Sequence, residues 1–504
     1  MQRSARRPDT LKGPLLAIRA DASREKGTGH IMRSLALAQE WRKRGGRCIF
    51  LCSSLPDGMK QKIEGEACEL HRLSHSGGTE KEATETSEML QRLQPRWLLV
   101  DGYSFDADYQ KGLHPPQYCR IACISDFGPG DFHSPDLVVH PNIAITGDYD
   151  TEGMDPRVLA GPQYVLLRSE IRRTRLRTAA KSAARILISV GGSDPGEAAM
   201  AVTEMLIEKG VPERAAIRVI LGPAYPGEGP MGHMAHPAVE IVRAPESMRD
   251  HYEWADTAIC PPSTTALELA HHGVPSGLIV TAGNQLKVLE AMQDMDVATC
   301  LGDVRESVEL QNLEELLDGE QRAPRAQRAS ELIDGEGTGR LCDELGLPSL
   351  QLRPAHGKDA RDLWNWANDP GTRAASFNPG EISWESHLAW LDRQLTSSSV
   401  ALRLVESSLG GVGSVRFETN PRVPDESIIS VNLAPEFRGM GLAPLILESG
   451  IDVYCSQGPT RTIVAWIKPG NTASIRTFTR AGFTRDDTSI PQDRIKMKLT
   501  SPPA

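Results

Sequence analysis

Short apolar runs alternate with segments of helical periodicity from residue 15 to about residue 345. The runs predict buried strands at 15–18, 47–51, 97–100, 121–124, 137–139, 186–190, 216–221, 239–241, 257–259 and 276–280. Regular strand–helix alternation is typical of parallel, doubly wound sheets. Because about 330 residues are too many for one such sheet, we predict two similar Rossmann-like lobes, at 11–162 and 163–346.

A separate third domain is predicted at residues 351–500. After the segment 346–354 the chain becomes richer in aromatic residues. Helical patterns at 359–368 and 384–394 are followed by strand-like segments. The predicted fold class is therefore α/β, with two Rossmann-like lobes followed by a C-terminal α+β domain.

Composition and charge exclude several classes of protein. The 504 residues are 39% hydrophobic, which is enough for buried cores, and no apolar run approaches the ~20 residues of a membrane span. The net charge of −10 does not favour nucleic-acid binding, and the basic cluster between Arg168 and Arg185 is interpreted as a solvated helix face. Nine scattered cysteines without a Cys-x-x-Cys pair favour a reducing, cytoplasmic location.

The first strand leads into a glycine loop that carries a histidine. Gly27 and Gly29 precede His30, and helical periodicity continues over 31–41. Glycines permit close approach of a ligand, a helix N-terminus favours an anion, and an imidazole there can move a proton near neutral pH. Asp21, at the strand end, is predicted to orient the imidazole or a water molecule. The alternative for His30 is a structural role, in which the segment is a tight strand–helix turn and the histidine caps the helix or packs against it. The alternative for Asp21 is that it caps the loop.

The second lobe has a glycine loop of its own. The buried strand at 186–190 leads into Gly191, Gly192 and Ser193. Asp194 is predicted to be the N-cap and Pro195 the first residue of the helix that follows. The glycines and Ser193 exceed what capping needs, and their backbone N–H groups suit a diphosphate.

Two later segments also offer polar groups at strand ends. Ser263, Thr264 and Thr265 are predicted to meet phosphate at a helix start, and Glu268 to accept hydrogen bonds from a ribose diol. The alternative is that Thr265 and Glu268 form a capping box. Asn284 and Gln285 follow a strand at the carboxyl edge of the predicted sheet, where ligands bind in such folds.

These motifs occur together in an order that is specific to one family. They comprise Arg19, Asp21, Ser23, Gly27, Gly29, His30 and Arg33; Asp101 and Tyr103; Asp126; Gly161, Pro162, Tyr164, Leu167 and Arg168; Ser189, Gly191, Gly192, Ser193 and Asp194; Glu268, Gly273 and Pro275; Asn284 and Gln285; and Asp334, Gly335 and Gly337. Over residues 15–345 the set resembles the nucleotide-sugar hydrolase family of pseudaminic acid biosynthesis, which itself resembles GT-B glycosyltransferases.

The resemblance implies metal-independent hydrolysis of a UDP-linked diacetamido sugar. His30 is the expected base that activates water, with Asp21 beside it. The implied substrate-binding residues are Arg19, Gly27, Gly29, Arg33, Tyr103, Gly192, Ser193, Thr264, Thr265, Glu268, Asn284 and Gln285. The sequence departs from the family at Gly102, where a histidine is common.

The third domain has motifs of a different kind. A strand at 428–433 precedes a turn from Arg438 to Ala443 that opens a helix, and a second strand–helix unit contains Asn471 and Ser474. Successive N–H groups at a helix start suit a pyrophosphate. The ordered pair of motifs resembles the GNAT acetyltransferase fold. The resemblance implies acetyl-CoA as cofactor, bound by Leu433, Arg438, Gly439, Met440, Gly441, Leu442, Ala443, Asn471 and Ser474.

The GNAT-like domain lacks one expected group. No tyrosine follows Tyr454, although members of the family usually have, after the second motif, a tyrosine that acts as the general acid. The aromatic segment around His387 and Trp390 is interpreted either as an acceptor pocket for a sugar ring or as core. The leading hypothesis is a bifunctional enzyme that N-acetylates a UDP-amino sugar and then hydrolyses it, with no metal. The alternatives are a GT-B glycosyltransferase and a non-catalytic UDP-sugar-binding module fused to an acetyltransferase.

Overall fold

The computed structural model describes residues 13–23, 27–126, 132–143, 156–172, 183–192, 194, 196–222, 225, 236–304, 312–407, 409–423, 425–456, 462–486 and 493–500. The chain divides into two compact units: one comprises residues 15–42 and 48–341, and the other consists mainly of the residues from Cys342 onward. None of the helices in this described part combines the length and the apolar composition that crossing a membrane requires.

The first unit contains two lobes, and a seven-stranded parallel sheet forms the first. Its strands are β1 (Leu15–Ala20), β2 (Arg47–Cys52), β3 (Glu69–Arg72), β4 (Trp97–Asp101), β5 (Arg120–Ile124), β6 (Leu137–His140) and β7 (Arg157–Ala160). They lie in the order β3-β2-β1-β4-β5-β6-β7, so the winding direction reverses between β1 and β4. Ala20 pairs with Asp101, which brings the carboxyl ends of these two strands to the same level. A crevice for ligands opens at such a switch point.

Among the described residues, four helices connect the strands of this lobe. They are α1 (Gly29–Lys43), α2 (Asp57–Gly65), α3 (Glu80–Leu93) and α4 (Ala107–Lys111). Local capping fixes where α3 and α4 begin, because Thr79 accepts a hydrogen bond from the Glu82 N–H and Asp106 accepts one from the Tyr109 N–H. Helix α1 begins as the glycine loop predicted, with His30 as its second residue.

In its described residues, the second lobe repeats this arrangement with six parallel strands. They are β8 (Arg185–Ser189), β9 (Ala216–Leu221), β10 (Val239–Arg243), β11 (Thr257–Cys260), β12 (Ser276–Val280) and β13 (Thr299–Asp303), in the order β10-β9-β8-β11-β12-β13. The switch point lies between β8 and β11. The helices are α5 (Ala198–Glu208), α6 (Arg249–Trp254), α7 (Thr264–His271), α8 (Leu286–Asp294), α9 (Leu313–Leu317), α10 (Gly319–Leu332) and α11 (Gly337–Glu344).

The C-terminal domain has a sheet of mixed direction. Its strands are β14 (Gln351–Pro354), β15 (Val400–Ser407), β16 (Gly410–Thr419), β17 (Glu426–Leu433), β18 (Thr462–Ile467), β19 (Thr484–Asp486) and β20 (Ile495–Thr500). Its helices are α12 (Ala360–Asn368), α13 (Pro370–Ala375), α14 (Trp384–Thr396), α15 (Leu442–Cys455) and α16 (Thr472–Arg480). Strands β17 and β18 are parallel neighbours, whereas the other pairs in this sheet are antiparallel.

The predicted fold class is confirmed, and each of the ten predicted strands overlaps an observed one. Strands β3, β7 and β13 were not predicted in the two lobes. All three lie at sheet edges, where β7 and β13 are only partly buried and no residue of β3 is buried, so the apolar pattern is weak. The predicted boundaries at 11–162, 163–346 and 351–500 stay predictions.

Candidate functional sites

His30 lies at the switch point of the first sheet, on the first turn of α1. The residue is 8% exposed. Gly27 adopts a left-handed φ of +73°, and a β-carbon added at Gly29 would meet no atom within 4 Å. The glycine loop therefore leaves open space beside the histidine, as a ligand site requires.

Two side chains from the neighbouring strand ends flank the imidazole. The Tyr103 ring stands edge-on to the His30 ring at 4.7 Å between centroids, and His30 Nε2 lies 4.0 Å from Asp126 Oδ2. The Tyr103 hydroxyl donates a hydrogen bond of 2.9 Å to the same Asp126 oxygen. Tyr103 is 61% exposed, so this constellation has one face open to solvent.

Arg33 joins the two acidic residues behind His30. It lies one turn further along α1, donates to Asp101 from Nε at 2.8 Å, and forms an ion pair with Asp126 through Nη1. Burial by itself would raise the pKa of the Asp126 carboxyl, but the Arg33 guanidinium outweighs this and holds it below its usual range. Asp126 is therefore a carboxylate at neutral pH. Arg33, predicted to bind substrate, is engaged with these two acids.

Arg19 was predicted to bind substrate directly, and the structure corrects this prediction. Its side chain is fully buried and binds Asp21, Glu82 and Ser53. The Asp21 carboxylate also accepts from the N–H groups of Ser53 and Ser54 at 2.8 and 3.1 Å. All three nitrogens of this guanidinium are hydrogen-bonded inside the protein, which leaves none of them to bind a ligand. These bonds hold the end of β1 in place. They explain why Asp21 is buried, and this explanation does not need a role for Asp21 in proton transfer.

The glycine loop of the second lobe follows β8 and packs tightly. A β-carbon added at Gly192 would lie 2.9 Å from the Thr28 hydroxyl, and one added at Gly222 would clash with the Gly191 and Gly192 carbonyls. Absence of side chains here allows this loop to approach the loop that bears His30. Ser193 lies outside the described residues.

The predicted start of the helix after this loop is wrong. Helix α5 begins at Ala198, three positions after Pro195, which itself lies outside the described residues. Asp194 has a left-handed φ of +48° and accepts hydrogen bonds from the N–H groups of Ala198 and Ala199 at 2.8 and 2.9 Å. It still caps the helix, but from four residues away, because the left-handed turn folds its carboxylate back onto the helix start.

Helix α7 begins at Thr264, so the alternative of a capping box at Thr265 is wrong. Thr264 is exposed, whereas Thr265 is buried within the first turn. The Glu268 carboxylate instead accepts a 2.6 Å hydrogen bond from the Tyr252 hydroxyl and lies 3.6 Å from Arg168 Nη2. Burial raises the pKa of Glu268, and Arg168 opposes this effect.

Arg168 is itself buried, which corrects the expected solvated helix face at that residue. It forms ion pairs with Glu170 and Glu268. Asn284 is exposed after β12, while the Gln285 side chain accepts from the Thr281 N–H at 2.8 Å. Asn284 thus presents an exposed amide after the end of β12, and Gln285 shapes the loop.

The C-terminal domain contains a cleft where two parallel strands part. Strand β18 pairs with β17 only from Glu426 to Ile428, although β17 continues to Leu433. A cavity of about 1050 Å³ opens there, and Asn432, Leu433 and Ala465 line it. Beyond Ile428, the edge of β17 on the side of the cavity therefore has no backbone pairing with β18.

The turn predicted to bind pyrophosphate borders the same cavity. Gly439 and Gly441 have left-handed φ angles of +75° and +74°, and α15 begins immediately after them, at Leu442. A β-carbon at Gly439 would meet nothing within 4 Å. The open space and the 14-residue helix fit an anionic group at this helix start. Arg438 donates to the Leu433 carbonyl at 3.0 Å and ties the turn to the strand end.

Comparison with known proteins identifies this domain. Residues 349–484 match the family model described as an acetyltransferase (GNAT) domain. They form a GNAT domain. The spermidine N-acetyltransferase of Vibrio cholerae, solved with CoA and spermine, is 19% identical and covers 30% of this chain and 95% of its own, with a TM-score of 0.27. A putative acetyltransferase of Salmonella typhimurium, YncA, solved with acetyl-CoA, is 24% identical over 30% of this chain and 93% of its own, with a TM-score of 0.26.

Two further proteins match larger parts of the chain. The glycotransferase of kitacinnamycin is 15% identical and covers 66% of this chain and 98% of its own, with a TM-score of 0.45. The uncharacterized protein MJ1062 of Methanocaldococcus jannaschii is 24% identical over 425 residues, which are 79% of this chain and 82% of that protein. An alignment of this length must include parts of both units.

The second motif of the GNAT domain also lies at the cavity. The Asn471 side chain accepts a hydrogen bond from the Ser474 N–H at 3.1 Å and caps α16, and both residues line the cavity. Tyr454 lies elsewhere, stacked on Phe417 and hydrogen-bonded to Ser427. Among the described residues that line the cavity, the Arg and Lys side chains are Arg373, Arg416, Arg438 and Lys468, and none is Asp or Glu.

Sequence reasoning did not select Asp101 or Asp126 as site residues. Asp101 is the last residue of β4, and Asp126 lies two residues after the end of β5, a position that places acidic residues at the ligand edge. That signal was present in the sequence. Within the described part of the chain, no group of three or more His, Cys, Asp and Glu side chains is arranged to hold a metal ion.

Proposed function

We propose that the protein is a bifunctional nucleotide-sugar enzyme. The two-lobed unit hydrolyses UDP-2,4-diacetamido-2,4,6-trideoxy-β-L-altropyranose to UDP and free sugar, and the GNAT domain acetylates the 4-amino group of the UDP-sugar precursor. The proposal rests above all on the placement of His30 between Tyr103 and Asp126 at the switch point. It also rests on the family resemblance of residues 15–345.

The hydrolytic step needs a base near water and a site for the departing diphosphate. His30 takes a proton from water as the water oxygen bonds to the anomeric carbon, and the bond from that carbon to the diphosphate oxygen breaks. UDP then leaves with the bonding electron pair. Asp126, a carboxylate at neutral pH, stabilises the imidazolium that forms. In this assignment Asp126, not Asp21, is the acidic partner of His30.

The glycine loop of the second lobe is the proposed UDP site. Gly191 and Gly192 follow β8, and α7 begins with the exposed Thr264 after β11, on the other side of the switch point. Backbone N–H groups in such loops bind phosphate without a metal. Glu268 and Asn284 are the proposed contacts to the nucleoside or sugar.

Acetyl-CoA is the proposed cofactor of the GNAT domain. The Gly439–Gly441 turn would hold its pyrophosphate. The edge of β17 at Asn432 and Leu433, which β18 does not cover, would hold its pantetheine arm. Asn471 and Ser474 would contact the cofactor at the start of α16. It supplies an activated acetyl thioester. Of the basic side chains that line the cavity, Arg416 and Arg438 are ion-paired with Glu418 and Asp369, so the support for an anionic acceptor such as a nucleotide sugar comes from Arg373 and Lys468.

One incubation tests both activities. The pure protein is mixed with the UDP-4-amino sugar precursor, with and without acetyl-CoA, and products are followed by mass spectrometry and NMR. We expect free diacetamido sugar and UDP only when acetyl-CoA is present. An acetylated nucleotide sugar that persists would instead favour a glycosyltransferase or a sugar-binding module. The nine scattered cysteines, without a Cys-x-x-Cys pair, support the proposal of a reducing compartment such as the cytoplasm.

A further inference from the structure

One imidazole in the wall of the GNAT cavity has an unsatisfied nitrogen. His387, on α14, lines the cavity and is 2% exposed. Its Nε2 atom is buried and has no hydrogen-bond partner among the described residues. Leaving a buried polar atom unpaired is unfavourable, so we expect Nε2 to be paired when the site is filled.

The ring is held firmly by its neighbours. Trp384 stacks on one side at 6.1 Å between centroids, and Trp390 packs at 5.4 Å with an interplanar angle of 34°. The ring also interacts with the backbone of Ala360. Since Nε2 has no partner, this bond belongs to Nδ1, and a proton on Nδ1 leaves Nε2 with a lone pair.

The surroundings keep this imidazole neutral. Burial lowers the pKa of His387, and the bond to Ala360 only partly opposes this. The charged groups on the elements around it include Arg361 of α12, over the Trp384 ring, and Arg416 of β16, over the Trp390 ring. Asp359 precedes α12, and its carboxylate is engaged by Arg353.

We propose that His387 binds the acceptor amine through Nε2 and removes its proton, a role that rests on the proposed acetyltransferase function. No carboxylate lines the cavity among the described residues, so the histidine is the side chain there that can accept a proton near neutral pH. The ammonium gives one proton to Nε2. The amine nitrogen then bonds to the thioester carbonyl carbon, the carbon–sulfur bond breaks, and the second amine proton goes to the departing sulfur.

Two substitutions separate hydrogen bonding from proton removal. His387→Gln places an amide near the Nε2 position, and His387→Phe keeps the stacked ring but has no nitrogen. His356→Gln is the matched control, because His356 is exposed in the same domain and does not line the cavity. Thermal melting and calorimetric titration with CoA check folding and cofactor binding independently of turnover.

We expect kcat for acetylation to fall 100-fold or more in both His387 variants, with CoA affinity within threefold of wild type. The acceptor KM should stay within threefold for His387→Gln and rise for His387→Phe. The ascending limb of the wild-type pH profile should disappear in His387→Gln. A kcat within threefold of wild type for His387→Gln, or loss of CoA binding in both variants, would overturn the proposal.

The choice of acceptors separates this inference from the proposed function. Wild type and variants are assayed with the UDP-amino sugar, a nucleotide-free amino sugar and spermidine. Turnover of another amine but not of the UDP-amino sugar overturns the proposed substrate, while the variant-to-wild-type ratio still decides the role of His387. Absence of turnover with every amine refutes both.

Discussion

Replacing Asp126 by asparagine tests the central electrostatic argument about the hydrolytic site. The change keeps the size of the side chain and an oxygen for the Tyr103 hydroxyl, but it removes the negative charge 4.0 Å from His30 Nε2. Arg33 keeps its second acidic partner, Asp101. The fold should therefore survive, and the imidazolium formed during water attack should lose its counter-charge.

The expected size of the effect follows from the distance. Two unit charges about 4 Å apart interact by about 4 kcal/mol at an effective dielectric constant of about 20. The His30 and Asp126 side chains are 9% and 12% exposed, and Arg33 already offsets part of the negative charge, so we take about 2.7 kcal/mol as the working value. This corresponds to a loss of about 100-fold in kcat, at about 1.36 kcal/mol per factor of ten.

The assay measures UDP release from the diacetamido UDP-sugar across pH 5 to 9. We expect kcat to fall about 100-fold in Asp126→Asn, with KM within threefold, and its ascending pH limb to move to lower pH because the imidazolium is less stabilised. Asp136→Asn, the same change at a surface ion pair with Arg120, is the control. A kcat within threefold of wild type for a folded Asp126→Asn protein would refute the reasoning.

Other outcomes follow from the same contacts. His30→Ala should reduce hydrolysis by about 10²–10⁴-fold and leave acetylation unchanged. Gly441→Trp should block CoA binding, because the side chain would stand at a left-handed turn, and it should leave hydrolysis of the acetylated substrate unchanged. Loss of both activities in one folded variant would contradict the independence of the two sites. Arg19→Met should cost about 3–5 kcal/mol of unfolding free energy in urea, because Asp21 and Glu82 stay buried without a cation; a loss below about 1 kcal/mol would contradict this. Burial raises the pKa of Asp21, but Arg19 outweighs it and the net shift is downward. The stability that this pair contributes is therefore complete above the unfolded-state pKa of about 3.9 and is lost as pH falls below it, a trend that acid titration of the unfolding free energy would measure.

The fold class could be predicted because its signal is local. Buried parallel strands such as β1 and β12 are continuous apolar runs, and α1 has helical periodicity, so each could be recognised from a few adjacent residues. The GNAT motifs are equally local, since a glycine turn opens a helix directly after a strand. The edge strands β3, β7 and β13 were missed because incomplete burial relaxes the apolar pattern.

The partners of the polar residues depended on the tertiary structure. Arg33 and Asp126 are 93 positions apart, and they meet because α1 and the loop after β5 converge at the end of the sheet. Arg19 and Glu82 are 63 positions apart, and their contact turns an expected ligand into a buried ion pair. Local sequence determined which residues could carry chemistry. Strand order and packing decided which of them face the crevice, because side-chain proximity across a sheet does not depend on distance along the chain.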